Sequence, residues 1–225
     1  ANSHGDDILL YSNEKRDKPF LIWHNLRQQS ERPVVDGVKR PNRCLADYVA
    51  STESGVADYV GCFAVTAGHG VEEKAAQFIA KHDDYSAIML KALADRLAEA
   101  FAELMHWRVR TDLWGYAPEE KLSAEDLIAE KYQGIRPAPG YPACPLHDVK
   151  RDMFKALKTD EIGMGLTESL AMTPASSVSG FYIANPQSMY FNVGKVGSDQ
   201  LEDLAKRSGQ PLSDIQRSLA SSVEA

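Results

Sequence analysis

The stretch that most constrains the fold of this chain is Gly134-Ile135-Arg136-Pro137-Ala138-Pro139-Gly140-Tyr141-Pro142-Ala143-Cys144-Pro145. Its four prolines and two glycines in twelve residues exclude a helix interior and a central strand, because proline lacks a backbone N–H and fixes its own φ. Each proline also pushes the preceding residue towards an extended conformation. We therefore expect a stiff, extended segment, which we call the Pro-rich loop.

The Pro-rich loop carries side chains that suit recognition, namely Arg136, Tyr141 and Cys144. A rigid backbone that presents a planar cation and an aromatic face loses little entropy when a ligand binds. Its remaining carbonyls need hydrogen-bond donors, and the amino group of a ligand could be one of them. The alternative is a connector that packs against the core, with Tyr141 as a plug.

The composition is that of an ordinary globular protein and excludes several functions. The 225 residues suffice for one substantial core or two small ones. A net charge of -7 and a pI near 5.4 argue against nucleic acid as the main partner, because phosphate binding needs a basic face. No apolar run approaches the length of a membrane span, and the N-terminus is no signal peptide. Three cysteines without a Cys-x-x-Cys motif fit a reducing cytosol, so we expect a cytoplasmic protein.

The patterns along the chain predict strands near both ends and helices between them. Predicted strands cover residues 8–11, 19–24, 59–66, 166–172, 178–184 and 189–193, the last two joined as a hairpin. Predicted helices cover residues 71–81, 85–110, 123–132, 148–158, 199–208 and 213–222. This order favours an α+β fold over a doubly wound one. We expect a single domain with a twisted, largely antiparallel sheet and several flanking helices.

The predicted helix 85–110 carries two stripes. The first is apolar at three- and four-residue spacing, which predicts a buried face: Leu90, Leu93, Leu97, Phe101 and Leu104. The second, which we call the acidic stripe, consists of Asp95, Glu99 and Glu103, four residues apart. Like charges at this spacing cost about 0.2–0.5 kcal/mol per pair unless a cation offsets them. The acidic stripe is therefore a solvated face, a partner of nearby basic side chains, or part of a site for a positively charged ligand.

Two further groups of residues could carry chemistry. Cys144 and His147 offer a soft and an imidazole ligand close together, but zinc needs three or four such ligands and no second cluster is visible, so no metal site is predicted. A thiol nucleophile activated by His147 is the alternative use of the pair. Tyr190 and Phe191 would point to opposite faces of a strand, which predicts one in the core and the other over a ligand.

Several long segments, in order, resemble the activation (reactivation) domain of cobalamin-dependent methionine synthase. The Pro-rich loop looks like the S-adenosylmethionine loop of that family. Also similar are His82-Asp83-Asp84-Tyr85, the run from Lys91 to Phe101, Trp114-Gly115-Tyr116, Leu166-Thr167-Glu168-Ser169 and the pair Tyr190-Phe191. The resemblance runs over nearly the whole chain, which makes it more specific than any single motif.

The resemblance implies a module that binds S-adenosylmethionine and supports the reductive methylation of cob(II)alamin to methylcobalamin. The expected partners are the cobalamin-binding domain of methionine synthase, which holds the cobalamin, and flavodoxin or a flavoprotein reductase, which supplies an electron. The module would be part of a methyltransferase, in the biosynthesis of methionine. It would have no catalytic acid or base of its own, and its effect would be proximity.

The resemblance also implies which residues bind S-adenosylmethionine. Arg136 would grip the carboxylate of the amino acid tail, and the backbone of Ala138 would hydrogen-bond to the ligand. Tyr141, Tyr190 and Phe191 would supply aromatic faces or hydroxyls around it. Glu99 would offset the positive charge of the ligand, directly or through water, which accounts for the acidic stripe.

The chain departs from the family pattern in two places. It begins after an N-terminal segment that the family usually has, and that segment includes an acidic residue which contacts S-adenosylmethionine. After the Pro-rich loop, the run Leu146-His147-Asp148-Val149-Lys150 differs from the family's typical acidic-His-Thr-Glu-Lys run. Two other functions therefore stay open: a docking scaffold for flavodoxin and the cobalamin domain without methyl-donor binding, and an unrelated hydrolase that uses Cys144 and His147.

Overall fold

A computed structural model describes residues 1–29, 34–35, 37–39, 41–220 and 222–223. Its strands are β1 (Asn2–His4), β2 (Asp7–Tyr11), β3 (Pro19–His24), β4 (Val34–Val35), β5 (Val38–Lys39), β6 (Gly61–Thr66), β7 (Gly165–Leu166), β8 (Met172–Thr173) and β9 (Ser177–Tyr182). Its α-helices are α1 (Val71–Ile79), α2 (Asp84–Arg108), α3 (Ala124–Ile128), α4 (Val149–Leu157), α5 (Ser198–Ser208) and α6 (Leu212–Ser218). A π-helical turn, Val109–Leu113, extends α2.

The chain divides into two compact units. Unit 1 comprises Ala1–Gly61, Gly134–Val149 and Phe181–Ala225, and unit 2 comprises Cys62–Gln133 and Lys150–Gly180. The predicted α+β class is confirmed, and the strand pairs β1–β2, β2–β3, β4–β5 and β7–β8 are antiparallel. Within the described residues the strands form one three-stranded and three two-stranded sheets. That the two units form a single domain remains a prediction.

Unit 1 begins with the three-stranded sheet, in which β2 lies between β1 and β3. Ile8 and Leu10 of β2 and Leu21 and Trp23 of β3 are buried, because alternate residues of a strand point to the same face. The helices α5 and α6 close a second apolar cluster at the C-terminal end. It consists of Leu26, Leu146, Val193, Val196, Leu201, Leu204, Ile215 and Leu219.

Unit 2 contains the helices α1 and α2, which pack against each other and are joined by residues 80–83. Asp83 caps α2 by accepting a hydrogen bond from the Ser86 N–H, and Ser123 and Asp126 form the predicted capping box of α3. Past the end of α2, Arg110 and Glu120 form a buried bidentate ion pair with N···O distances of 2.7 and 2.8 Å. The Arg110 guanidinium also lies 4.4 Å from the ring centre of Tyr132.

The buried face of α2 is not the one that the leucine spacing predicts. Apart from His106, the buried residues are small, namely Ala87, Ala94, Ala98 and Ala102, whereas Leu93 and Leu97 are 55% and 63% exposed. Small side chains at four-residue spacing allow the backbone of α2 to approach its neighbours closely. Periodicity predicted the leucine stripe as the buried face and did not identify the alanines as the residues that face the core of unit 2.

Two strand predictions near the C-terminus are also wrong. Residues 189–193 form no strand, although all five are among the described residues, so the predicted hairpin with 178–184 is absent. The Val193 N–H instead donates to the Pro142 carbonyl of the Pro-rich loop, at 2.9 Å. A proline-containing partner cannot continue a ladder, so the pairing stops there. The predicted strand 166–172 is reduced to the short pair β7–β8, and α3 ends at Ile128 rather than at residue 132.

A pair of substitutions on α2 tests this assignment of its faces. We expect Leu97→Gln to change the free energy of unfolding by less than about 0.5 kcal/mol, because Leu97 is an exposed position. Ala98→Leu should cost about 1–3 kcal/mol, because Ala98 is 1% exposed and has no room for a larger side chain. Urea denaturation of the two variants measures the difference. An equal loss in both would contradict the assignment.

Candidate functional site

The Pro-rich loop is attached by its backbone to the segment 181–183 of unit 1. Ile135 and Ile183 exchange two N–H···O hydrogen bonds of 2.9 and 3.0 Å, and the Phe181 N–H donates to the Pro137 carbonyl at 2.9 Å. The Phe181 ring in turn stacks on Trp23 of β3, with the ring centres 3.9 Å apart and both residues buried. One side of the Pro-rich loop is therefore fixed to the core of unit 1.

The middle of the Pro-rich loop is a tight turn closed by its own hydrogen bonds. The Cys144 N–H donates to the Tyr141 carbonyl at 2.9 Å, and the Gly140 N–H donates to the Cys144 carbonyl at 2.8 Å. The Ala138 carbonyl accepts from the Tyr141 N–H at 3.2 Å and from the Cys144 thiol at 2.9 Å. Both lone pairs of the Ala138 oxygen are thus used within the loop, which leaves that carbonyl no capacity for a ligand.

The N–H of Ala138 is in the opposite situation. Within the described part of the chain, it makes no hydrogen bond. It belongs to the same peptide plane as the Pro137 carbonyl, and a trans peptide points its C=O and N–H in opposite directions. Because the Pro137 carbonyl faces the Phe181 N–H, the Ala138 N–H points away from Phe181. The backbone of Ala138, which the sequence predicts to hydrogen-bond to a ligand, can therefore offer a donor and not an acceptor.

Gly140 is required by two separate features of the turn. Its φ is +95°, which L side chains rarely adopt. A Cβ at this position would also lie 2.1 Å from Cε1 of His147, so the imidazole ring rests on the glycine itself. His147 thereby packs against the turn from its outer, exposed side.

The backbone of the Pro-rich loop contacts the side chain of Tyr190 near the surface. The hydroxyl of Tyr190 accepts a hydrogen bond from the Arg136 N–H at 2.9 Å. Tyr190 and Tyr141 are 36% and 59% exposed, and Arg136 is half-buried. Arg136, Ala138, Tyr141 and Tyr190 thus lie within one short, hydrogen-bonded part of unit 1, which we call the loop site.

The other two predicted binding residues have different surroundings. Phe191 packs against the C-terminal apolar cluster of unit 1, which is the core position predicted for one member of the Tyr190–Phe191 pair. Glu99 is exposed on α2, in unit 2, and its role towards a ligand stays a prediction. Its neighbour Asp95 accepts a hydrogen bond from the Ser176 hydroxyl at 2.7 Å, so this member of the acidic stripe has a partner within its own unit.

The cysteines do not resemble activated nucleophiles. Burial raises the pKa of the Cys62 thiol to about 12, and burial, with the charge of Asp6, raises that of Cys44 to about 12. Cys144 is 3% exposed and donates its thiol proton to the Ala138 carbonyl. In the ranges that the structure describes, no three His, Cys, Asp or Glu side chains come together as a metal site.

The sequence predicts the four residues of the loop site as ligand-binding residues, which stays a prediction, but it does not indicate the contacts that shape the site. The thiol bond to Ala138, the imidazole against Gly140 and the bond from Arg136 to Tyr190 all join residues whose pairing no local pattern indicates. A glycine followed seven residues later by a histidine is too common a pattern to predict the contact between Gly140 and His147.

The fold is of the α+β class, and the loop site is held by backbone hydrogen bonds to the core of unit 1. The family model for the activation domain of vitamin B12 dependent methionine synthase matches residues 1–209. A solved structure, described as the crystal structure of the MetH reactivation domain bound to AdoHcy, is 51% identical, with a TM-score of 0.94. The match covers 100% of this chain and 68% of that one. The chain therefore belongs to the activation domains of cobalamin-dependent methionine synthases, as its sequence predicts.

Gly140→Ala tests the turn, and Gly194→Ala is its matched control. Both glycines lie in unit 1 with positive φ, +95° and +83°, but a Cβ on Gly194 meets nothing within 4 Å. We expect Gly194→Ala to cost about 1–2 kcal/mol from backbone strain alone. Gly140→Ala should cost about 2–4 kcal/mol, because strain and the clash with His147 add.

The double variant Gly140→Ala/His147→Ala separates the two causes. Without the imidazole, only the backbone strain of Gly140→Ala remains. The double variant should therefore be less stable than His147→Ala by about as much as Gly194→Ala is less stable than the wild type. Chemical denaturation of the four variants measures these free energies of unfolding. Strictly additive effects of the two substitutions would show that the contact between Gly140 and His147 is not formed.

Proposed function

We propose that this activation domain binds S-adenosylmethionine at the loop site and presents its methyl group to the cobalamin held by a partner domain. The observation that carries the proposal is the relative bound to AdoHcy, which is 51% identical to this chain over the matched region. AdoHcy, S-adenosylhomocysteine, is what remains of S-adenosylmethionine once the methyl group has left. The loop site supports the proposal because its residues complement the groups of that molecule.

Arg136 would bind the carboxylate of the amino acid tail. A guanidinium and a carboxylate form paired, charge-assisted hydrogen bonds, and Arg136 is held in place by the bond from its own N–H to Tyr190. The Ala138 N–H would donate to a ligand acceptor, such as a carboxylate oxygen or a ring nitrogen of adenine. The exposed faces of Tyr141 and Tyr190 would stabilise the sulfonium cation, by about 0.5–2 kcal/mol each.

The loop site has no group that needs to act as an acid or base in this reaction. S-adenosylmethionine supplies a methyl group on a positively charged sulfur, which is already a good leaving group. The domain's own contribution would be to hold that sulfur still and at the correct distance from its acceptor. A preformed loop suits this task because its backbone loses little entropy when the ligand binds.

The partners proposed for the domain follow from its family. They are the cobalamin-binding domain of the same synthase, and flavodoxin or a flavoprotein reductase as the electron donor. No α-helix in the described ranges has the length and apolarity that crossing a bilayer requires. The three cysteines are free, which fits the cytoplasm that we propose as its location.

Calorimetric titration of S-adenosylmethionine into the chain tests the proposal. The wild type should saturate near one site per chain, and Arg136→Ala should weaken binding about tenfold or more, because a charge-assisted bond is lost. Arg217→Ala is the matched control, since Arg217 lies on α6 with a side chain that is 79% exposed. It should bind as the wild type does.

Two outcomes would contradict the proposal. If a demonstrably folded wild type gives no heat of binding, the docking scaffold is favoured. Such a scaffold would contact flavodoxin and the cobalamin domain but would not bind the methyl donor. Equal binding by the wild type and Arg136→Ala would place the ligand away from the loop site.

A further inference from the structure

Cys144 occupies a position in the Pro-rich loop for which neither catalysis nor metal binding accounts. Its side chain is almost fully buried, and its thiol reaches back six residues to the carbonyl of Ala138, with an S···O distance of 2.9 Å. Its own N–H and C=O close the turn through Tyr141 and Gly140. The residue therefore ties both its backbone and its side chain to the part of the loop that carries Ala138.

The two peptide planes that flank Ala138 are held from different directions. The plane before it is fixed by the bond from the Phe181 N–H to the Pro137 carbonyl, at 2.9 Å. The plane after it is fixed by the two bonds that the Ala138 carbonyl accepts, one of them from the Cys144 thiol. The angles φ and ψ of a residue define the orientation of these two planes relative to each other. The conformation of Ala138 is therefore set by hydrogen bonds on both sides of it.

We propose that Cys144 is a positioning residue for the ligand site. Its thiol keeps the Ala138 carbonyl turned into the loop, and thereby holds the peptide plane from which the chain continues to Tyr141, whose exposed side chain belongs to the loop site. The inference rests on the proposed function, because it assumes that S-adenosylmethionine binds at the loop site. Cys144 itself touches no ligand atom in this account. It supplies a hydrogen bond whose loss would let the peptide plane after Ala138 rotate.

The test compares Cys144→Ala with Cys144→Ser by calorimetric titration with S-adenosylmethionine. The alanine variant has no donor and should bind about fivefold to tenfold more weakly than the wild type. The serine variant keeps a donor, and its hydroxyl still lies within reach of the Ala138 carbonyl. It should bind within about threefold of the wild type. Rescue by serine is the readout that a general loss of packing would not give, since both variants are smaller than cysteine.

Cys44→Ala is the matched control. Cys44 is a fully buried cysteine of the same unit, and its sulfur lies 3.7 Å from the carbonyl of Asp6, far along the chain from the Pro-rich loop. The Cys44→Ala variant should bind S-adenosylmethionine as the wild type does, even if its thermal stability falls. If Cys144→Ala does not fold, Cys144→Val replaces it, because valine fills the space of the thiol but offers no donor.

The outcomes separate this inference from the function on which it rests. A folded wild type that binds no S-adenosylmethionine overturns the proposed function, and the inference with it. If the wild type binds S-adenosylmethionine and Cys144→Ala or Cys144→Val binds it with the same affinity, the inference is overturned but the proposed function is not. Serine and alanine variants that lose affinity to the same extent also overturn it, because the donor would then have no part in the effect.

Discussion

The structure of the loop site depends on one interaction, the backbone pairing of the Pro-rich loop with the segment 181–183. Prolines remove the donors with which a segment would normally join a sheet, so the loop uses the few groups that remain. The bonds of Ile135 and Pro137 to Ile183 and Phe181 fix it to backbone whose side chains are buried. Through the stacking of Phe181 on Trp23, this pairing connects the loop to the N-terminal sheet of the same unit.

Rigidity at the loop site therefore has a traceable origin. The core of unit 1 holds Phe181, Phe181 holds Pro137, and the turn closed by Gly140 and Cys144 holds the other side of Ala138. Each step uses a buried or backbone hydrogen bond, or a stacked ring pair, and none relies on an exposed ion pair. A surface held in this way suits the proposed function, because a preformed site would lose little entropy on binding and would act through proximity.

The sequence predicted the local features of this protein well. Proline and glycine positions identified the loop, alternation identified β2 and β3, and capping residues placed the start of α3. It failed where two local signals competed. The leucines of α2 form a stronger apolar pattern than its alanines, yet close helix packing buries the small residues. It also failed at 189–193, where a β-like pattern pairs with a proline-rich partner that cannot extend a ladder.

The loop site shows the same division between local and long-range information. Arg136, Ala138, Tyr141 and Tyr190 were identified from residue type and family resemblance, and the structure brings them together. Which backbone group of Ala138 is available was not predictable, because that depends on a thiol six residues away and on a strand residue more than forty positions later. Contacts of this kind leave no periodic trace in a sequence.

The measurement that tests this account most directly is a ¹⁵N–¹H NMR titration of the labelled chain with S-adenosylmethionine. We expect the Ala138 amide resonance to move most, with smaller shifts at Arg136 and Tyr141, while the amides of Gly140 and Cys144 stay nearly unchanged. Unit 2 has an open cavity of about 430 Å³ beside Leu104 and Trp107. Shifts confined to the amides that line this cavity would contradict the account. The same holds if the resonances of Gly140 and Cys144 move most, because the turn would then be remodelled by the ligand rather than formed in advance.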